Sequence, residues 1–114
     1  MADIQSIFFN NRNRRDRLYI HKGVIPGVFT GLDDSLISFC HVDVDAYRSV
    51  QGCCDYVWPR LAMGGFMVFD DYGCPDCLGA KQAVDDYFRG KAYPILATGS
   101  PSTHSAVVFR SISI

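Results

Sequence analysis

The sequence predicts an α/β fold whose sheet is mainly parallel and ends in an antiparallel hairpin. Between Phe39 and Phe88, two strand patterns are each followed by an amphipathic helical pattern, which is typical of parallel β-α units. Two further strand candidates, 93–97 and 106–114, are separated only by the turn-rich segment 98–103. Because that connection is too short for a crossover helix, we expect these two strands to form a hairpin.

The amino-terminal 17 residues are predicted to form a short helix and a basic turn. Asp3 is a suitable helix cap, and the apolar positions after it share one helical face. These positions are Ile4, Ile7 and Phe8. Four arginines between 12 and 17 form a basic cluster, which we interpret as a solvated turn and not as an anion site. A short strand is predicted over 18–22.

The two central β-α units follow from apolar spacing. The stretch 37–42 is β-branched and aromatic enough for a buried strand, and a helical pattern begins at Ser49. Pro59 lies within that pattern, so the helix is expected to kink or end there. Gly64-Gly65 is then expected to turn the chain into a strand over 66–69, whose continuous apolar run predicts cover on both faces. The second helix has apolar positions at Ala80, Ala83, Val84, Tyr87 and Phe88.

Length and composition indicate one globular domain over residues 1–114. Of the 114 residues, 48% are hydrophobic and 20% are charged, and the net charge is −1. These values exclude a disordered tail and an electrostatic nucleic-acid binder. No apolar run approaches the ~20 residues of a membrane span and the start is not signal-like, so we expect a cytoplasmic protein. The five cysteines form an odd set and are expected to be reduced thiols.

Acidic side chains follow both central strands. Asp43 ends the first strand, and Asp70 and Asp71 end the second. Neighbouring parallel strands lie ~4.8 Å apart, so these carboxylates are expected to share the crevice in which open α/β sheets bind ligands. Oxygen ligands of this kind suit Mg²⁺. Asp45 is either a group outside the ligand set or the proton acceptor, and capping of the strand-to-helix turns explains all four aspartates equally well.

Two other groups are weaker candidates. His104 lies in the hairpin loop at the same end of the sheet, where it is either a general base or a solvated histidine. Cys74 and Cys77 form a Cys-x-x-Cys that suits zinc or thiol exchange, but a zinc site normally needs four ligands and no second such pair exists. A structural role is therefore favoured for the cysteines. His41, beside Asp43, is interpreted as a satisfied core residue.

Four segments of the chain carry a family resemblance, namely His41-Val42-Asp43-Val44-Asp45-Ala46-Tyr47-Arg48-Ser49, Trp58-Pro59-Arg60-Leu61-Ala62-Met63-Gly64-Gly65, Asp70-Asp71-Tyr72-Gly73 and Gly79-Ala80-Lys81-Gln82-Ala83-Val84-Asp85. They resemble the carboxyl half of the macrocin-type sugar O-methyltransferases, and the resemblance implies that residues 18–114 are a family-like core. The resemblance implies a class I methyltransferase, Rossmann-like fold with S-adenosylmethionine as methyl donor. It also implies a magnesium ion on Asp43, Asp70 and Asp71, and an acceptor hydroxyl on a sugar or other natural product.

The resemblance has one clear departure. The family holds its methyl donor chiefly with a glycine-rich turn after the first strand, and nothing before Lys22 resembles a strand followed by Gly-x-Gly. We therefore expect a truncated O-methyltransferase-like domain, and the sequence leaves open whether the isolated chain is active. The alternative is a non-catalytic oligomeric module for binding or assembly, and a third interpretation is a small metal-binding protein.

The resemblance also bears on assembly. In the strand order expected for this fold, 3-2-1-4-5-7-6, the strand that ends at Asp43 pairs with a first strand that this sequence does not supply. Its edge would be apolar and unprotected, which favours pairing with another chain or with 18–22. We expect a homodimer or larger oligomer, with exchange of amino-terminal elements as one possible form.

Overall fold

Four strands and two helices make up the part of the chain that the structure describes. This computed structural model describes residues 19–32, 34–91, 93–97 and 105–110. The elements are a 3-10 turn Gly27–Gly31, β1 Ile37–Val42, α1 Tyr47–Val57, a 3-10 turn Trp58–Arg60, β2 Leu61–Phe69, α2 Leu78–Phe88, β3 Ile95–Ala97 and β4 Ala106–Phe109. The predicted helix and basic turn of residues 1–17, and His104, lie outside the described residues. No helix within the described ranges is long and apolar enough to cross a membrane.

The sheet has the strand order β1-β2-β4-β3. β1 and β2 are parallel, and β4 is antiparallel to both of its neighbours, β2 and β3. β1, β2 and β3 therefore run in one direction and only β4 runs in the other. This confirms the predicted sheet, mainly parallel with an antiparallel hairpin at its carboxyl-terminal end.

Two strand predictions are wrong in their boundaries. Residues 19–22 are not in a strand, and β2 begins at Leu61, five residues before the predicted start. The glycine pair lies inside β2 as an irregularity, because the register changes between Ile37↔Leu61 and Phe39↔Phe66. Gly64 has a positive φ of 82°, and its N–H donates to the carbonyl of Arg110 at 2.7 Å. The pair therefore bends a continuing strand and does not start a new one.

The hydrophobic core lies between one face of the sheet and the two helices. Alternate β2 residues, Leu61, Met67 and Phe69, are buried on this face. The helices contribute apolar residues at the spacing that the sequence predicts, and Trp58 packs edge-on against Phe88 with 4.8 Å between ring centroids. α1 ends at Val57, so the predicted end of this helix near Pro59 is confirmed. The buried helical residues are Val50, Cys53, Cys54, Val57, Ala80, Ala83, Val84 and Phe88.

The opposite face of the sheet is apolar and open in the described part of the chain. Phe39, Phe66 and Phe109 lie side by side in register across β1, β2 and β4, with ring-centroid distances of 5.0 and 5.2 Å. Phe39 is 52% exposed and Phe109 is 44% exposed. Phe66 and Val68 of β2 are half-buried on this face, while the described helices pack on the other, so cover of β2 on this face stays a prediction. We call this surface the open face.

We predict that Gly65→Ala destabilises the fold. A Cβ at this position would lie 2.8 Å from the carbonyl oxygen of Ala62 and 2.9 Å from that of Ser38, and backbone atoms cannot easily move away. The expected loss is about 1–3 kcal/mol in the free energy of unfolding, measured by urea denaturation at fixed protein concentration. Gly27→Ala is the control, because its Cβ would meet no atom within 4 Å. Equal stability of the two variants would contradict the packing described for Gly65.

Candidate metal centre

The candidate site lies at the carboxyl-terminal ends of β1 and β2, which lie side by side in the sheet. The hydrogen bond from the Asp70 N–H to the Val42 carbonyl, 2.9 Å long, continues the parallel ladder one step beyond the strands. Asp43 follows directly after β1, and Asp70 and Asp71 follow directly after β2. The backbone pairing of two strands thus places the three aspartates at one edge.

The three carboxylates converge. One oxygen from each of Asp43, Asp70 and Asp71 lies within 4.8 Å of the other two, with Asp43 exposed and the other two half-buried. Oxygens around an octahedral Mg²⁺ lie about 2.9 Å apart when adjacent and about 4.2 Å apart when opposite, as its 2.0–2.1 Å bonds require. Small side-chain rotations would bring these oxygens to such distances, so the geometry suits a hard cation.

The electrostatics of Asp71 also suit a cation. Burial raises the pKa of Asp71, and its hydrogen bond with Asp45 and the negative charges of Asp45, Asp70 and Asp43 raise this pKa further. The Oδ2 atom of Asp71 is buried and has no hydrogen-bond partner among the described residues. A bound cation would offset the repulsion and supply the missing partner. The residues present therefore fit a divalent ion.

The two predicted catalytic residues have different outcomes. Asp45 is exposed and hydrogen-bonds the carboxyl group of Asp71, so it lies beside the three converging carboxylates but outside that set. His104 lies outside the described residues, and its predicted role stays a prediction. The structure thus brings Asp43, Asp45, Asp70 and Asp71 together.

His41 is the residue that the sequence analysis placed wrongly. It is exposed on the open face, and its Nε2 lies 3.3 Å from Oδ1 of Asp70. The alternation of side chains along β1 could have predicted this position, because a residue next to the buried Val42 must point to the opposite face. His41 therefore holds the Asp70 carboxylate at the edge of the sheet and does not fill the core.

Two tyrosines fix the loops of the site to α2. The Tyr47 hydroxyl donates to Oδ2 of Asp86 at 2.8 Å, and the Tyr72 hydroxyl donates to Oδ1 of Asp85 at 2.6 Å. Lys81 pairs with Asp85 at 2.6 Å. The first contact joins the start of α1 to α2, and the second joins the loop after β2 to α2. The Lys81 pair lies within α2 and holds Asp85, so the segments next to the aspartates are fixed to one helix.

The Cys-x-x-Cys lies against the same aspartates. Sγ of Cys74, Sγ of Cys77 and a carboxylate oxygen of Asp71 all lie within 4.8 Å of one another. The hydrogen bond with Cys74 raises the pKa of Cys77 to about 12, together with burial and the charges of Cys74, Asp45 and Asp71. The sequence analysis missed this proximity, because sequence spacing alone does not show how the loop folds back on Asp71.

Solved structures show the class of the fold. The structure of the O-methyltransferase NovP matches 68% of this chain and 31% of its own length, with a TM-score of 0.60 and 24% identity. A Corynebacterium glutamicum protein matches 96% of this chain and 55% of its own length, with a TM-score of 0.76 and 18% identity. With the sheet order and the acidic edge, these likenesses define a fold of the class I methyltransferase type.

The chain belongs to the macrocin O-methyltransferase family. The family described as Macrocin-O-methyltransferase (TylF) matches residues 5–95, most of the sequence. Among curated proteins, the 8-demethyl-8-(2,3-dimethoxy-alpha-L-rhamnosyl)-tetracenomycin-C 4'-O-methyltransferase of Streptomyces olivaceus is 36% identical over 97 residues, 80% of this chain and 34% of that protein. The mycinamicin III 3''-O-methyltransferase of Micromonospora griseorubida is 33% identical over 51 residues, 45% of this chain and 19% of that protein. The chain thus spans about a third or less of the length of these curated relatives.

We predict that Asp71→Asn stabilises the metal-free chain. The substitution removes a buried negative charge that Asp43, Asp45 and Asp70 oppose, and the new amide can donate a hydrogen bond to Asp45. A rise of a few degrees in melting temperature is expected at neutral pH in the presence of a chelator. Asp55→Asn, an exposed position on α1, is the control and should leave the melting temperature unchanged. A fall in melting temperature for Asp71→Asn would contradict the electrostatic account.

Proposed function

We propose that this chain is the metal-binding and acceptor-positioning part of a magnesium-dependent O-methyltransferase. The observation that carries the proposal is the convergence of Asp43, Asp70 and Asp71 at the carboxyl edge of a sheet in a macrocin O-methyltransferase family member. The substrate class is a hydroxyl group on a sugar or other natural product, as the names of the relatives suggest. The unit that performs this role is the single domain with residues 18–114 as its core.

The aspartates have different roles in this proposal. Asp43, Asp70 and Asp71 would hold Mg²⁺, which supplies Lewis-acid chemistry by binding two neighbouring acceptor oxygens and lowering the pKa of the reacting hydroxyl. Asp45 is adjacent to Asp71 and exposed, so it is the proposed proton acceptor, with His104 as a second candidate for this role. His41 holds Asp70 and is a positioning residue.

S-adenosylmethionine is the methyl donor that the family resemblance suggests. No Gly-x-Gly occurs in the 114 residues, so we assign no residue of this chain to the donor and derive no step through it. The contribution of this chain would be alignment, since an in-line methyl transfer depends on how donor and acceptor are held.

The cysteines are all unpaired, which supports a cytoplasmic location for the protein.

A non-catalytic oligomeric module is the second candidate function. The open face favours it, because an exposed surface with three aligned phenylalanines is unusual for an isolated domain. The β1 edge is also unpaired among the described residues, since β1 is the first strand in the sheet order. We propose a homodimer in which a second copy covers this edge and the open face.

The magnesium site is tested by thermal shift. Mg²⁺ should raise the melting temperature of the chain, by an amount equivalent to about 2.7 kcal/mol at a hundredfold excess over its dissociation constant. Asp70→Asn should remove most of this response, whereas the exposed Asp55→Asn should keep it. A full response in Asp70→Asn would refute the assigned ligands.

The same assay with S-adenosylhomocysteine separates the two candidate functions. Stabilisation by this ligand in the presence of Mg²⁺ supports the transferase, because only a ligand that binds the folded state raises stability. Stabilisation by Mg²⁺ alone supports the third interpretation, a metal-binding protein without transferase activity. No response to either ligand supports the oligomeric module.

The proposed dimer is tested by size-exclusion chromatography with light scattering. The unmodified chain should have the mass of a dimer, and Phe39→Ser should shift it towards the monomer by placing a polar group on both the β1 edge and the open face. Val24→Ser is the matched control, because Val24 is 82% exposed but lies in the loop before the sheet. A monomeric unmodified chain at micromolar concentration would rule out the dimer.

A further inference from the structure

We propose that Cys74, Cys77 and Asp71 form a second metal site, one for a thiophilic divalent cation such as Zn²⁺, with water in the fourth position. The ligand atoms of the three residues lie within 4.8 Å of one another. Ligand atoms around a tetrahedral zinc lie about 3.3–3.8 Å apart, as its bond lengths of about 2.0–2.3 Å require. Small rotations of side chains would therefore close the site.

The backbone arranges these three side chains in advance. The Cys74 N–H donates to the Asp71 carbonyl at 3.2 Å, and the Cys77 N–H donates to the Cys74 carbonyl at 3.1 Å. Each of these bonds closes a turn whose first and fourth residues lie within about 7 Å of each other, so residues 71, 74 and 77 are brought close together. The last bond of the series, from the Ala80 N–H to the Cys77 carbonyl at 3.0 Å, leads directly into α2. The cluster is thus anchored to a rigid element.

Three protein ligands are enough for a zinc site whose fourth position is taken by water. Asp71 adds the third ligand that a lone Cys-x-x-Cys does not have. Asp45 lies beside this set but outside it. In addition, the buried Oδ2 of Asp71 has no hydrogen-bond partner among the described residues, so this oxygen is available to bind a cation.

The types of ligand atom determine which kind of metal ion each site prefers. Thiolates bind Zn²⁺, Co²⁺ and Cd²⁺ well and bind Mg²⁺ poorly, whereas the all-oxygen set of Asp43, Asp70 and Asp71 has the opposite preference. Binding of such an ion releases the thiol protons, since a coordinating thiol gives up its proton.

The experiment is a Co²⁺ titration of the full chain, reduced and freed of metal by a chelator. Tetrahedral thiolate ligation gives a sulfur-to-cobalt charge-transfer band in the near ultraviolet, which Mg²⁺ sites do not produce. We expect this band to saturate at one Co²⁺ per chain and to disappear on addition of Zn²⁺. Cys77→Ser should weaken Co²⁺ binding by at least about tenfold, and so should Cys74→Ser.

The controls separate this site from the magnesium site. Cys40→Ser lies outside the cluster and should keep the band, and Asp70→Asn should keep the band while it loses the Mg²⁺ response. Asp71→Asn should weaken the binding of both Co²⁺ and Mg²⁺, because Asp71 belongs to both ligand sets. Absence of the band, or a band that Cys74→Ser and Cys77→Ser leave unchanged, would overturn the proposal. If Cys77→Ser fails to fold by circular dichroism, Cys74→Ser, in the loop before α2, decides the outcome.

Discussion

The parallel pairing of β1 with β2 is the constraint on which the rest of the structure depends. Residues that are partners in a parallel pair point to the same face, and both strands end at the same edge. The register Val42↔Phe69 therefore fixes two things together: buried side chains face the helices, and the next residues of each strand are aspartates. The Asp70-to-Val42 hydrogen bond carries this pairing into the site itself.

The acidic edge is costly for the chain without a ligand. Asp71 is partly buried beside three other carboxylates, and one of its oxygens is unpartnered among the described residues. A fold tolerates such an arrangement when it serves a function, because the same carboxylates would destabilise the folded state less if they were dispersed over the surface. Two sets of side chains meet at Asp71, with the carboxylates of Asp43 and Asp70 in one and the thiols of Cys74 and Cys77 in the other. A change at Asp71 is therefore expected to affect both sets.

Much of the fold could be predicted because its signals are local. Apolar spacing locates both helices, and the short connection before β4 predicts the hairpin. The start of β2 could not be predicted, because a glycine pair reads as a turn unless the neighbouring strand is known to hydrogen-bond across it, as Arg110 does. In the candidate site, the aspartates follow from strand polarity. The approach of Cys74 and Cys77 to Asp71 depends on consecutive turns, which spacing does not determine.

The open face and the unpaired edge of β1 in the described part of the chain point to one structural need. β1 has a free edge among the described residues, and Phe39 on this strand belongs to the open face. Any element that pairs with this edge gains backbone hydrogen bonds, and any layer that covers the face buries aromatic surface. A strand added parallel to β1 would also end beside Asp43, at the edge where open α/β sheets bind ligands. The surface that favours a partner thus lies next to the proposed metal site, so the proposed assembly and the proposed metal chemistry would depend on the same contact.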